Sequence, residues 1–188
     1  MSKLIGSIAA LGVCLFGAGS ANAQSMTVTS AEIKEGATIA NEQVFNSFGC
    51  KGNNISPSLS WTGAPSAAKS FAVSIYDPDA PTGSGFWHWV VFNIPAGVTS
   101  LPKDAGDPKK KLMPKGAIQS RTDYGVAAYG GPCPPPGDKP HHYQITVFAV
   151  DVDKLPDAKD PNVSAAVVGF DLHFHTLAKA TLTGLYGR

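Results

Sequence analysis

Two loops rich in proline and glycine contain most of the side chains in this chain that could do chemistry. The first loop is Tyr76-Asp77-Pro78-Asp79-Ala80-Pro81, and Trp87-His88-Trp89 follows it. The second loop runs from Gly130 to Gly137, and His141-His142-Tyr143 follows it. Carboxylates, imidazoles and a phenol at the ends of strands would form a small polar pocket that binds a ligand or exchanges protons.

The two carboxylates of the first loop flank Pro78, which holds them in a constrained turn. Neighbouring carboxylates can share a proton for acid–base work, orient a histidine or ligate a cation. Alternatively, aspartate side chains in turns accept hydrogen bonds from nearby backbone N–H groups. Asp77 lies where its strand reaches the surface, which favours function, whereas both interpretations stay open for Asp79.

The histidines divide by their position in the strand pattern. His88 stands between two tryptophans in an apolar run and is either a core residue or part of the pocket. His141 and Tyr143 are two residues apart at the start of a strand, so they share a face, and His142 points the other way and is expected to be exposed. The remaining histidines, His173 and His175, are interpreted as structural.

The loop from Gly130 to Gly137 predicts an anion site. Glycines let backbone N–H groups converge and prolines make the loop rigid, so the loop would bind phosphate or carboxylate. No Gly-Lys-Ser/Thr follows it, which excludes a Walker loop. The chain has no Cys-x-x-Cys and no helical His pair, so neither a metal nor a cofactor is expected. It also lacks the Gly-x-Ser-x-Gly elbow of a serine hydrolase.

Residues 1–23 have the pattern of a secretory signal peptide. Lys3 precedes an apolar run over residues 4–16, and Ala21-Asn22-Ala23 is a cleavage pattern. A membrane anchor is the alternative, but the run is too short to span a bilayer. We therefore predict a periplasmic or secreted protein without a membrane span after cleavage, in which residues 24–188 form a single domain.

Cleavage would change both the charge and the cysteine content. It removes Lys3 and Cys14, which leaves a net charge near zero and argues against a nucleic-acid partner. Cys50 and Cys133 would then be the remaining cysteines in an oxidising compartment, which favours a disulfide between them. Catalytic thiols are less favoured, because neither cysteine has an obvious base or helix start near it.

The remaining pattern is mostly β. β-Branched and aromatic residues predict strands over residues 71–76, 86–94 and 143–150, and alternation predicts a fourth over residues 178–183. Helices are expected over residues 164–173, capped by Asn162 or Ser164, and more briefly over residues 152–155.

Taken in order, these motifs resemble the signature blocks of the phosphatidylethanolamine-binding protein family, in its bacterial Raf-kinase-inhibitor-like YbhB/YbcL type. The resemblance rests on the two loops and on Asn53–Trp61, Thr122–Gly125 and His173-Phe174-His175, and it runs from about Phe45 to the C-terminus. It implies a mostly β fold with a central antiparallel sheet, a second smaller sheet and a few short helices.

The resemblance also implies a small anion-binding pocket. The residues at the family's pocket positions are Asp77, Pro81, His88, Gly131, Pro132, Cys133, Pro134, His141 and Tyr143, with Asp79 beside them. A cis bond is implied between Ala80 and Pro81. The family usually has arginine where this chain has His142, which puts in doubt any surface ion pair made there.

These observations favour a non-enzymatic binding protein in the periplasm. Its ligand would be a small anion, either phosphate or a phosphorylated headgroup, and its output would be an effect on a partner protein. One alternative is a hydrolase or lyase that uses Asp77 and His88 as its acid–base pair. Another is a protease or kinase inhibitor that acts through its surface.

Overall fold

The computed structural model describes residues 25–188, so the predicted signal peptide lies outside the described residues. In that range, eight strands and one α-helix follow each other along the chain. They are β1 (Thr27–Thr29), β2 (Leu59–Thr62), β3 (Ser70–Asp77), β4 (Phe86–Pro95), β5 (Ser100–Leu101), β6 (Ile118–Gln119), β7 (His141–Val150), α1 (Ala165–His175) and β8 (Thr176–Tyr186). A short 3-10 helix, Pro108–Lys110, lies between β5 and β6.

The strands form two antiparallel sheets. The small sheet has the order β1-β2-β5, and the central sheet has the order β6-β4-β3-β7-β8. The larger hydrophobic core fills the space between the sheets, with Trp61 from β2 and Val73, Trp89 and Ile145 from the central sheet. A second cluster, which includes Phe92 and Val168, packs α1 against the other face of the central sheet.

The mostly β architecture with two antiparallel sheets confirms the predicted fold class. The strands predicted over residues 71–76 and 86–94 are β3 and β4, and both are buried on both faces for most of their length. The third predicted strand begins two residues early, at His141. The helix is capped by Ser164, whose side chain accepts a hydrogen bond from the Val167 N–H.

Two local predictions are wrong. Residues 152–154 form bends and residue 155 is irregular, so no helix forms there. Leu155 precedes a proline, which disfavours helical backbone, and its N–H donates to Asn93 Oδ1 at 2.9 Å. The Ala80–Pro81 bond is trans, the intrinsically favoured form for such a bond.

None of the helices within residues 25–188 has the length and apolar character needed to cross a membrane.

Candidate functional site

A pocket forms at one end of the central sheet, where the ends of three neighbouring strands lie side by side. β3 ends there at Asp77, while β4 and β7, which are antiparallel to it, begin there. Tyr76 pairs with Trp87 and Ile75 pairs with Trp89, so His88 is the extra residue of a β-bulge. The bulge brings the His88 ring within 5.1 Å of the Tyr143 ring on β7.

The cavity has a volume of about 210 Å³, with polar groups at its base and mostly apolar walls. The polar side chains are nearly inaccessible to solvent: Asp77 is 2 % exposed, His88 3 %, His141 4 % and Tyr143 1 %. The other lining residues are Phe48, Ala80, Pro81, Thr82, Phe86, Tyr124, Cys133, Pro134 and Pro135. Within residues 25–188, no lysine or arginine is among the lining residues, although the Arg188 guanidinium donates to the carbonyl oxygens of the lining residues Pro134 and Phe48.

The Asp77 carboxylate is held on both oxygens. Oδ1 accepts the Asp79 N–H at 2.9 Å, and Oδ2 accepts His141 Nδ1–H at 2.7 Å. The imidazole that Asp77 contacts therefore comes from His141 on β7, and Asp77 does not bond His88. The opposite nitrogen of His141, Nε2, lies 3.5 Å from Asp138 Oδ2.

His88 is held by backbone carbonyls instead. Its Nδ1 lies 2.8 Å from the Gly130 oxygen and 3.2 Å from the Gly131 oxygen. Carbonyls only accept hydrogen bonds, so Nδ1 carries the proton in the neutral ring. Burial lowers the pKa of His88 below its usual value of 6.5 and outweighs the opposing hydrogen bond to Gly130 and the charge of Asp77. At neutral pH, Nε2 is therefore an unprotonated acceptor that faces the cavity.

Tyr143 provides a hydrogen-bond donor at the base of the pocket. Its hydroxyl is buried and makes no hydrogen bond of standard geometry within residues 25–188, but the Asp77 carboxylate is close enough to attract its proton. Burial, followed by the negative charge of Asp77, raises the pKa of Tyr143 above its usual value of 10. The hydroxyl thus stays protonated and is a donor at the buried end of the pocket.

The loop from Gly130 to Gly137 does not form the predicted ring of N–H donors. The Gly130 N–H donates to the His88 carbonyl and the Gly131 N–H donates to Asn54 Oδ1. Four of the next five positions are prolines, which have no N–H. Gly131 serves a steric need, because a Cβ at this position would lie 1.9 Å from the Gln43 oxygen. The loop positions the walls, and Cys133 has the one N–H of this loop without an acceptor within residues 25–188.

A disulfide joins Cys50 to Cys133, as predicted. It draws the segment before Cys50 over the pocket, where the Phe48 side chain is 70 % exposed at the mouth. Arg188 fastens the same wall, since its Nε donates to the Pro134 oxygen at 2.6 Å.

Sequence reasoning missed the aromatic walls. Phe48, Phe86 and Tyr124 line the cavity, and the Tyr124 hydroxyl donates to the Gly131 oxygen at 2.8 Å. Burial, followed by the charge of Asp77, raises the pKa of Tyr124. The motif around Tyr124 was visible in the sequence, but nothing local indicated that its ring packs beside His88, at 5.6 Å between ring centroids.

Three of the predicted site residues do not line the pocket. Gly131 and Pro132 are buried behind its wall. The Asp79 carboxylate lies outside and bonds both the backbone N–H and Nδ1 of His142, at 2.8 and 2.7 Å. His142 is exposed, as its strand position predicted, and it contacts the Asp79 carboxylate at the position where the family usually has arginine. Across residues 25–188, no three His, Cys, Asp or Glu side chains group as a metal site would require.

Comparison with known proteins assigns the chain to a family. The sequence model described as phosphatidylethanolamine-binding protein matches residues 29–187. The UPF0098 protein YbcL of Escherichia coli K12 is 54% identical over 167 residues, which cover 89% of this chain and 90% of YbcL. UPF0098 protein YbhB of the same organism is 45% identical over 161 residues, 86% of this chain and 99% of YbhB.

The likeness extends to three dimensions. The crystal structure of E. coli YbcL, described as a new member of the mammalian PEBP family, matches with a TM-score of 0.84 and 53% identity. The match covers 87% of this chain and 99% of YbcL. Because the family model spans nearly all of the described fold and the relatives are this similar, the chain belongs to the phosphatidylethanolamine-binding protein family.

Proposed function

We propose that this protein binds a small phosphate-bearing anion in the pocket and does not turn it over. The observation that carries the proposal is the convergence of four buried polar side chains, Asp77, His88, His141 and Tyr143, on one cavity. At about 210 Å³ the cavity is below the usual range for drug-sized ligands, roughly 300–1,000 Å³, and suits a phosphate with a short substituent.

The lining residues support binding over catalysis. Asp77 and His88 do not bond each other, since Asp77 is held by His141 and His88 by carbonyls. Cys133 is in a disulfide, and the Thr82 hydroxyl donates to the Gly85 oxygen. No lining side chain thus has the paired nucleophile and base that covalent catalysis needs.

The proposal includes export to the periplasm and an effect on a partner protein there. The Cys50–Cys133 disulfide supports export, because such bonds persist in oxidising compartments. Export predicts a mature chain that begins at Gln24, which intact-mass measurement of periplasmic protein checks. A mass that retains residues 1–23 would contradict it.

Calorimetry with inorganic phosphate and O-phosphoethanolamine tests the binding proposal. His88→Ala and His141→Ala are each expected to weaken binding by about 1.5–3 kcal/mol, the usual range for hydrogen bonds to charged groups. His173→Ala, on the exposed face of α1, is the matched control and should bind like the wild type. Circular dichroism verifies that each variant is folded.

Two results would contradict the proposal. Unchanged affinity in both His88→Ala and His141→Ala would mean that the anion binds elsewhere. Release of free phosphate from O-phosphoethanolamine by the wild type, but not by the pocket variants, would mean that the pocket is an active site.

A further inference from the structure

The pocket offers more hydrogen-bond acceptors than an anion site needs. A fully ionised phosphate or sulfate presents only acceptors, so it requires donors or cations around it. The lining residues include no lysine or arginine, and the glycine N–H groups of the adjoining loop are already bonded. The buried carboxylate of Asp77 adds a negative charge at the base.

His88 presents an acceptor to the cavity. Its Nδ1–H is committed to the carbonyls of Gly130 and Gly131, which leaves Nε2 with a lone pair in the neutral ring. The titratable groups around this ring are Asp77 from β3, His141 and Tyr143 from β7, and Asp123 and Tyr124 from the loop after β6. Two of these groups, Asp77 and Asp123, are carboxylates that raise the pKa of the His88 ring. Burial of the ring lowers this pKa by more, so the ring is neutral at neutral pH.

The donors facing the cavity are few. The Tyr143 O–H lies near the Asp77 carboxylate and makes no hydrogen bond of standard geometry within residues 25–188. The wall adds the backbone N–H of Cys133. His141 gives its Nδ1–H to Asp77, and its Nε2 faces the Asp138 carboxylate at 3.5 Å. A ligand that brings a proton of its own would complement this arrangement, because it can donate to His88 Nε2 or to Asp77 while it accepts from Tyr143.

We propose, on the basis of the function proposed above, that the pocket selects a phosphate group that still carries a proton. Its ligand is the monoanion of inorganic phosphate or of a phosphate monoester, with P–O–H donating to His88 Nε2 or Asp77. Sulfate and phosphodiesters have no such proton near neutral pH, so they leave the acceptors unpaired beside a buried negative charge. The site therefore recognises a free phosphate or monoester and rejects the diester of an intact phospholipid headgroup.

The test is calorimetry of the purified protein with four ligands: inorganic phosphate, O-phosphoethanolamine, sulfate and glycerophosphoethanolamine. The two ethanolamine compounds share an ammonium group and differ in whether their phosphate is a monoester or a diester. We expect sulfate and the diester to bind at least about tenfold more weakly than the monoester. A buried acceptor left without a hydrogen bond lowers the binding affinity by about this factor or more.

Proton uptake provides an independent readout. The second ionisation of a phosphate monoester has a pKa of about 6, so the dianion dominates at about pH 8. Selection of the monoanion then requires uptake of about one proton per ligand, measured by repeating the titration in buffers of different ionisation enthalpy. Affinity for O-phosphoethanolamine should fall by about tenfold per pH unit above about pH 7.

A variant series places the selectivity at His88. His88→Gln puts an amide that can donate a hydrogen bond near the position of Nε2. We therefore expect this variant to reduce the difference in affinity between monoester and diester. His173→Gln is the matched control on α1 and should leave this difference in affinity unchanged. Tyr143→Phe removes a donor from the pocket, so it should weaken the binding of all ligands while the order among them stays the same.

The outcomes separate this inference from the proposed function. If sulfate or the diester binds as tightly as the monoester, or if the monoester binds without proton uptake, the inference is wrong although the anion site stands. Sulfate binding that takes up a proton also overturns it, because the proton then goes to His88. If none of the four ligands binds, the proposed function itself fails. The wild-type comparisons decide the matter even where a variant does not fold.

Discussion

Two aspartate–histidine pairs lie side by side where β3 approaches β7, and they differ in burial. Asp77 and His141 are 2.7 Å apart, with side chains 3% and 5% exposed. Asp79 and His142 are also 2.7 Å apart, but their side chains are 43% and 56% exposed. Alternation along β7 sends His141 and His142 to opposite faces, and only the first pair lines the pocket. Contact geometry alone therefore does not identify a functional pair; burial and convergence with other polar groups do.

The difference has an energetic consequence. An exposed pair is screened by water and salt, and its net contribution to stability is about 0–1 kcal/mol. In a buried ion pair the attraction opposes a large desolvation cost, so the pair contributes little to net stability. Removal of one partner of such a pair is costly, because the other charge stays buried without compensation. The two pairs should therefore respond very differently to the same substitution.

The largest expected effect is the loss of the buried pair. Asp77→Ala leaves the buried Nδ1–H of His141 without its acceptor, and we expect the free energy of unfolding to fall by about 1–3 kcal/mol. Urea denaturation measures this, provided that the slope with denaturant matches the wild type. Asp79→Ala is the matched control, and equal losses in the two variants would mean that burial does not distinguish the pairs.

An intermediate effect is expected for His88, which is buried but bonded only to neutral carbonyls. Its pKa in the folded protein is lowered by burial below the usual 6.5, so between these values the unfolded chain binds a proton that the folded chain does not. Stability must then rise with pH through that window and fall as the pH drops below about 6.5, by at most about 1.4 kcal/mol per pH unit.

Comparison with a variant isolates this contribution. In His88→Gln, unfolding measured between about pH 5 and 7 should have a shallower pH dependence than the wild type, because one titrating group is lost. His173→Gln should match the wild type. A wild-type slope that persists in His88→Gln would assign the dependence to other groups.

The sequence predicted the parts of the fold that depend on local pattern. Runs of β-branched and aromatic residues identified β3, β4 and β7, and the alternation across residues 141–143 correctly placed His142 on the exposed side. The Cys50–Cys133 disulfide followed from cysteine number and compartment. The strand predictions use residue type and spacing along one segment, and the disulfide prediction uses the number of cysteines that would remain after cleavage.

Predictions that needed the sheet order were less successful. Asp77 bonds His141 because β7 adjoins β3, whereas the acid–base alternative had paired Asp77 with His88. The Gly131 N–H is unavailable because Asn54, 77 residues away, accepts it. Phe48 reaches the mouth of the pocket through the disulfide segment. Such contacts depend on which distant segments the fold brings together, and a single sequence does not encode this in a local pattern.

The smallest expected effect concerns the charge of the exposed pair. Asp79→Asn keeps an oxygen for the His142 N–H but removes the charge, so we expect a loss of less than about 1 kcal/mol, reduced further because both side chains are substantially exposed. The His142 N–H, as the largest cause, lowers the pKa of Asp79 below its usual value of 3.8. Its contribution is therefore present above about pH 4 and is lost as the pH falls through the lowered pKa.

Salt provides the test for this exposed pair. Screening at about 1 M NaCl shortens the Debye length to about 3 Å, so the stability difference between wild type and Asp79→Asn should shrink towards zero. The difference between wild type and Asp77→Ala should persist at the same salt concentration, because buried charges are screened far less.

His142→Arg is a second probe of the exposed pair, since it restores the residue type usual in the family. It should preserve the contact with Asp79 and leave phosphate binding unchanged, because His142 lies outside the pocket. A change in phosphate affinity in His142→Arg would show that the exposed pair contributes to the site, and the contrast between the two pairs would fail.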